Sequence, residues 1–314
     1  MSFNQPMAWT LFFILVGAAL TLDLTVLARH KSKPSLKSSL GWTAFWISLA
    51  ASFALMLWYQ AGTAVAAKFT AAYVLELSLS VDNLFVFLVI FGHYKVPEAY
   101  QRKTLLWGIA GALVLRAIFI GAGAAAIHRW DWLLVVFGAF LIYTSIRLLM
   151  HKNETIDPAK SPIVRVAGYF FKIKPHYEGD RFFVRERGEI WLTPLFIVLM
   201  IVEATDVVFA VDSIPAVFGI STDPFIVYTS NIFAILGLRA LFFVLEGVLH
   251  LFRFLKVGLA VILCLIGLKL LLLPTLEARF GFHAGEYWIL GMIGFILAAS
   301  ILASLAFKAP AKRR

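Results

Sequence analysis

Six carboxylates interrupt long apolar stretches of this chain: Asp23, Glu76, Asp82, Glu203, Asp206 and Asp212. Arg116 and Arg239 stand within two others. An isolated charge at the centre of a membrane-spanning helix costs about 2.5–3.5 kcal/mol even on the lenient insertion scale. Groups that costly must face a protein interior or a wet cavity and compensate one another. The arginines can each neutralise one carboxylate and lock helices together. The acids outnumber them, so the surplus requires bound protons or a bound cation. Burial favours the protonated acid, and a divalent ion favours the ionised one. A site that trades one for the other couples proton movement to metal movement.

The donors near these acids narrow the metal. Asn83, Asn231, Ser80, Ser213 and Thr205 are hard oxygen donors, suited to magnesium, calcium or manganese. His93, His128, His250 and His283 all fall near the ends of apolar stretches. Met200 and Cys264 are the soft atoms in reach, and both read as packing residues. Zinc and copper are therefore disfavoured. Glu76 and Asp82 are six residues apart, as are Asp206 and Asp212. On a regular helix that spacing turns two side chains about 120° apart. Either the helices break near the site, for which Pro215 and Gly219 are candidates, or the acids occupy successive positions along a path. Glu203 shares a helix face with Asp206. Asp23, at the end of its stretch, reads either as a ligand at the mouth of the path or as an interfacial acid. No HExxH or GxxxxGK[ST] motif occurs, and no Ser/His/Asp set gathers near mid-depth. The chain reads as a non-enzyme with no tightly bound cofactor.

The elements that must hold these residues follow from composition. The chain is 61% hydrophobic, with a mean hydropathy of +0.87. One aqueous core cannot bury so large an excess over the roughly 45–50% of soluble domains. A span needs about 20 apolar residues. Nine stretches qualify, at 7–27, 41–59, 69–92, 103–127, 130–150, 191–218, 224–246, 256–274 and 286–307. Backbone groups in lipid must bond within their own segment, and barrel-type alternation is absent, so the expectation is an all-α polytopic fold. The first stretch is too long for a cleavable signal, carries Asp23 and has its basic residues after it. The net charge is +10, and the Lys and Arg residues outside the spans sort to one side, with only Lys68, Arg129 and Arg279 on the other. That partition predicts an inner-membrane protein with its N-terminus out and C-terminus in, and it removes the nucleic-acid reading. Residues 151–190 form the one sizeable soluble segment, read as a cytoplasmic linker near anionic lipid, with regulation as the other reading. The single cysteine excludes an internal disulfide.

The chain also repeats itself. Glu76–Asp82–Asn83 parallels Asp206–Asp212–Ser213, each pair of acids with a Val before the second. Leu115-Arg116-Ala117 parallels Leu238-Arg239-Ala240, His128 parallels His250, and Arg147-Leu148-Leu149 parallels Lys269-Leu270-Leu271. Glu203 has no counterpart. The units, 69–150 and 191–274, hold three spans each, an odd number, so the second enters from the opposite side. Inverted repeats with a site near the midplane are a transporter architecture.

Glu76-Leu-Ser-Leu-Ser-Val-Asp82-Asn83, Val202-Glu203-Ala-Thr-Asp206 through Pro215, and Thr222-Asp223-Pro through Asn231 to Arg239-Ala resemble the TerC family, closest to its bacterial Alx branch. Phe182-Phe183-Val184-Arg185 before Thr193-Pro194 is also similar. The resemblance is strong over 69–275 and weaker outside. It implies nine spans, manganese export, a family name linked to tellurite resistance, and Glu76, Asp82, Asp206 and Asp212 with Asn83 as the functional set. Leu77 departs from the Lys that such sequences often carry there. The expected function is export of a divalent cation, manganese first, with protons as the counter-ion. The alternative is a non-transporting membrane scaffold or assembly factor linked to metal or tellurite stress.

Overall fold

The computed structural model describes residues 5–22, 35–150, 169, 171–186, 188–248, 254–280 and 286–306. Its helices are α1 (Gln5–Leu22), α2 (Leu36–Ala61), α3 (Thr63–His93), α4 (Glu98–Arg129), α5 (Leu133–Met150), α6 (Pro194–Phe218), α7 (Pro224–Val248), α8 (Leu255–Phe280) and α9 (Glu286–Ala306). Seven are long and apolar enough to cross a membrane, and α1 and α7 contribute the shorter apolar stretches Pro6–Ala19 and Pro224–Leu238. The architecture is the all-α, polytopic membrane type that hydropathy predicts.

The helix ends follow local chemistry. Ser35 caps α2 by accepting from the Ser38 N–H. Only Gly62 separates α2 from α3, and its φ of 91° is the left-handed turn a residue without Cβ adopts freely. Thr193 caps α6 by accepting from the Phe196 N–H, and Pro194 opens the helix, where a missing N–H does no harm. The predicted span from 191 therefore starts late.

Trp191 and Leu192 belong to a strand instead. The second half of the 151–190 segment, expected as a linker, carries a three-stranded sheet. Its strands are β1 (Lys172–Ile173), β2 (Phe183–Glu186) and β3 (Glu189–Leu192), in the order β1-β3-β2. β1 runs parallel to β3 and β2 antiparallel to it. Tyr177 Oη donates to the Tyr94 carbonyl just past α3, at 2.8 Å. Lys103 of α4 donates to the Asp180 carbonyl and carboxylate, at 2.6 and 3.1 Å. The sheet thus caps the end of α3, the start of α4 and the start of α6. We call this the sheet face. Since α3 ends there and α6 begins there, the two run in opposite senses.

Packing gathers the polar helices. α4 lies on α6, and α3 lies on α7. A cluster of rings, with Phe12, Phe53, Phe69, Phe225 and Phe233 all buried, ties α1 and α2 to α3 and α7. α5 and α8 pair most closely, and a Cβ on Gly138 would meet the Gly267 carbonyl at 2.8 Å. Small residues let backbones approach where lipid offers no hydrophobic drive.

Candidate functional site

At the centre of the bundle lies one guanidinium. Arg116 projects from α4 and is 0% exposed. Its Nε and Nη2 donate to the two carboxylate oxygens of Asp206 on α6, at 3.2 and 3.0 Å. Its Nη1 donates to Glu76 Oε1 on α3 and, at 3.4 Å, to Asn231 Oδ1 on α7. Glu76 and Asn231 are also 0% exposed. Four helices therefore meet on one side chain. The fork accounts for the residue type, because only Arg presents parallel N–H groups to a carboxylate with others left for a second acid. The expectation that each arginine neutralises one acid is corrected here. Arg116 takes two, and these are the first acids of the two matched motifs.

The second acids lie to either side. α3 and α6 are unbroken helices through their acidic motifs. Six residues along each axis is about 9 Å. Asp82 is displaced from Glu76 toward the sheet face, and Asp212 from Asp206 toward the opposite face. Of the two possibilities left open by spacing, the broken helix is not what the chain adopts: both motifs lie on continuous helices. Among the described residues no three of His, Cys, Asp and Glu stand together as ligands for one ion. Asp212 accepts from Thr144 of α5 at 3.2 Å, and Arg147 acts on it electrostatically. Nothing in the sequence pairs either residue with that acid. Pro215 sits inside α6 without breaking it, and removes the N–H that the Val211 carbonyl would otherwise receive. Past the end of α6 a cleft of about 740 Å³ opens at the opposite face, lined by Lys68, Asp131, Thr222, Asp223 and Lys269 among others. Lys269 donates there to the Gly219 carbonyl at 2.9 Å.

Glu203 is nearer the centre than its lack of a counterpart suggested. It sits one turn from Asp206 toward the sheet face, pressed against Gly111 of α4, where a Cβ would collide with its carboxylate. Its Oε2 is buried and accepts no hydrogen bond from the protein. Glu76 Oε2, Ser80 Oγ, Ser213 Oγ and Asn231 Nδ2 are likewise buried with no hydrogen-bond partner in the protein. Asn83 is buried. Thr205 turns back on the Ile201 carbonyl at 2.7 Å. Met200 is exposed, and Cys264, on α8, is half-buried. Asp23 and His250 lie outside the described residues, as do the side chains of Asp82 and Arg239.

Comparison with known proteins decides the family. The family model described as integral membrane protein TerC matches residues 61–312. This chain belongs to the TerC family. The match contains every helix that touches Arg116. An uncharacterized membrane protein of Myxococcus xanthus, STKORF319, is 43% identical over 304 residues, covering 97% of this chain and 93% of that protein. Proteins named as membrane-bound redox modulator Alx are similar too. That of Photorhabdus laumondii is 41% identical over 310 residues, 96% of this chain and 95% of that one. That of Escherichia coli K12 is 39% identical over 305 residues, 94% and 95%. No solved structure matches the TerC chain.

Proposed function

We propose that this TerC protein exports a divalent cation, manganese first, in exchange for protons carried on the same carboxylates. The observation that carries the reading is the charge imbalance at the centre. One guanidinium serves Glu76 and Asp206, while Glu203 holds a buried oxygen with no donor. A bundle built only for stability would bury apolar side chains at less cost. The donors there are hard oxygens, the carboxylates with Asn231 beside them, and such donors suit manganese, magnesium or calcium. Manganese stands first among them because the resemblance implies its export.

The route runs from Asp82, past Glu76, Arg116 and Asp206, to Asp212 and the cleft at the opposite face. The opposite senses of α3 and α6 support two inverted three-helix units, which would alternate access around the central acids. The distribution of Lys and Arg supports an inner-membrane location, the sheet on the inside, the N-terminus out and the C-terminus in. Moving two positive charges outward against 100 mV costs about 4.6 kcal/mol, and protons moving inward supply it. The redox role named for the Alx relatives would not run through a dithiol here, because the chain has one cysteine.

The test is Asp82→Asn with Asp212→Asn in cells challenged with manganese. The double variant is expected to reach the membrane at normal level yet no longer lower cell manganese. Efflux at the wild-type rate would refute the path. Intact stress tolerance without any metal flux would favour the scaffold reading.

A further inference from the structure

We propose that Arg116 is a tethered stand-in for the cargo, which a passing cation must displace from between Glu76 and Asp206. The inference rests on the transport reading and adds a mechanism to it. Three observations carry it. The guanidinium sits where the first acids of both matched motifs converge, so no cation can reach both carboxylates while Arg116 holds them. Arg116 and Glu76 are fully buried and Asp206 nearly so, so the arrangement is one closed to solvent. The network is also incompletely satisfied. Glu76 Oε2 and Asn231 Nδ2, on two of the residues that Arg116 holds, and Ser80 Oγ, one turn along α3 from Glu76, have no hydrogen-bond partners in the protein, whereas a structural ion triad is favourable only when its lone pairs are filled.

Charge arithmetic gives the exchange its sense. Glu76 and Asp206 together carry two negative charges, and Arg116 supplies one positive charge. A divalent cation in its place balances the pair. Arg116 then needs another acceptor. Glu203, one turn along α6 and facing α4 at Gly111, offers a buried carboxylate oxygen without a donor. A site that always holds either its own cation or the cargo does not pass ions as an open channel would.

The experiment compares purified wild type with Arg116→Gln. Thermal unfolding is followed with and without manganese chloride alone, and manganese flux is measured in proteoliposomes. Without metal the variant is expected to melt below wild type, because two buried carboxylates have lost their counter-charge. With saturating manganese it should recover by roughly 5–10 °C, while wild type shifts far less. Downhill flux should rise several-fold and lose its dependence on a pH gradient. Glu76→Gln combined with Arg116→Gln should fold and lose the metal response. Should Arg116→Gln fail to fold, Arg116→Lys gives the same test: it keeps one charge without the fork, and should shift in the same direction by less. A metal response in these variants no larger than in wild type, with wild-type flux intact, overturns the inference and leaves the transport reading standing. Wild type that moves no metal overturns the transport reading.

Discussion

Asp206 gives both oxygens to one guanidinium, and Glu76 gives one of its two. Removing one partner from a buried pair costs about 3–5 kcal/mol, because the charge left behind has no water. Asp206→Asn should therefore lower the unfolding temperature of the purified protein markedly, and more than Asp212→Asn, whose acid bonds a neutral threonine. Glu203 makes a different prediction. Gly111→Ala puts a methyl group where its carboxylate lies, and overpacking of that kind costs about 1–3 kcal/mol. The protein should still fold, and its manganese flux should fall as Glu203 is pushed from the centre. Much of this site was legible from residue types, since acids and arginines in apolar stretches must answer one another. The partners were not. Arg116 meets Glu76 and Asp206 across sequence separations of 40 and 90 residues, and no local pattern reports that. The repeat marks the matched acids and leaves out Glu203, whose place one turn from Asp206 depends on Gly111, a residue with no charge to report it.

The sheet is the element that hydropathy missed. Strands of two to four residues are too short to show a period, and β1 and β2 mix charges with apolar residues. Its stability comes from contacts outside any window. Lys172 and Lys174 lie over the Trp191 ring, at 5.4 and 5.3 Å from its centroid. Phe182 packs against Trp107 of α4, and Phe183 against Phe196 of α6. Burial first, and neighbouring Tyr94 second, push the Tyr177 phenol up to about 12, so it remains a neutral donor to the Tyr94 carbonyl at physiological pH. A raised phenol pKa adds stability that is fully present below its ordinary value near 10 and fades as pH climbs through 12. Tyr177→Phe should cost about 1 kcal/mol. Combined with Lys103→Ala, it should free the sheet from α3 and α4, seen as faster protease cleavage within residues 172–192. An unchanged cleavage rate would mean the strands are held by β3 and Thr193 alone. The helices themselves were legible, because an apolar run that long admits no other backbone. Their ends were less so. Gly62 shortens one connection to a single residue, and Thr193 delays α6.

At the scale of the molecule, two helices of opposite sense bring their acidic motifs to one arginine, with a capped face on one side and a polar cleft on the other. Hydropathy predicted a membrane bundle, and the family comparison agrees. How α3, α4, α6 and α7 meet on Arg116 is displayed only by the folded chain. If the acids form a path for metal against protons, the purified protein alone should suffice to move the ion. The most direct measurement is manganese flux in proteoliposomes with a pH gradient imposed, comparing wild type with the Asp82→Asn, Asp212→Asn variant. The account predicts that wild-type flux follows the direction of the gradient and that the double variant shows none. Flux that ignores the gradient, or that persists in the variant, would contradict it.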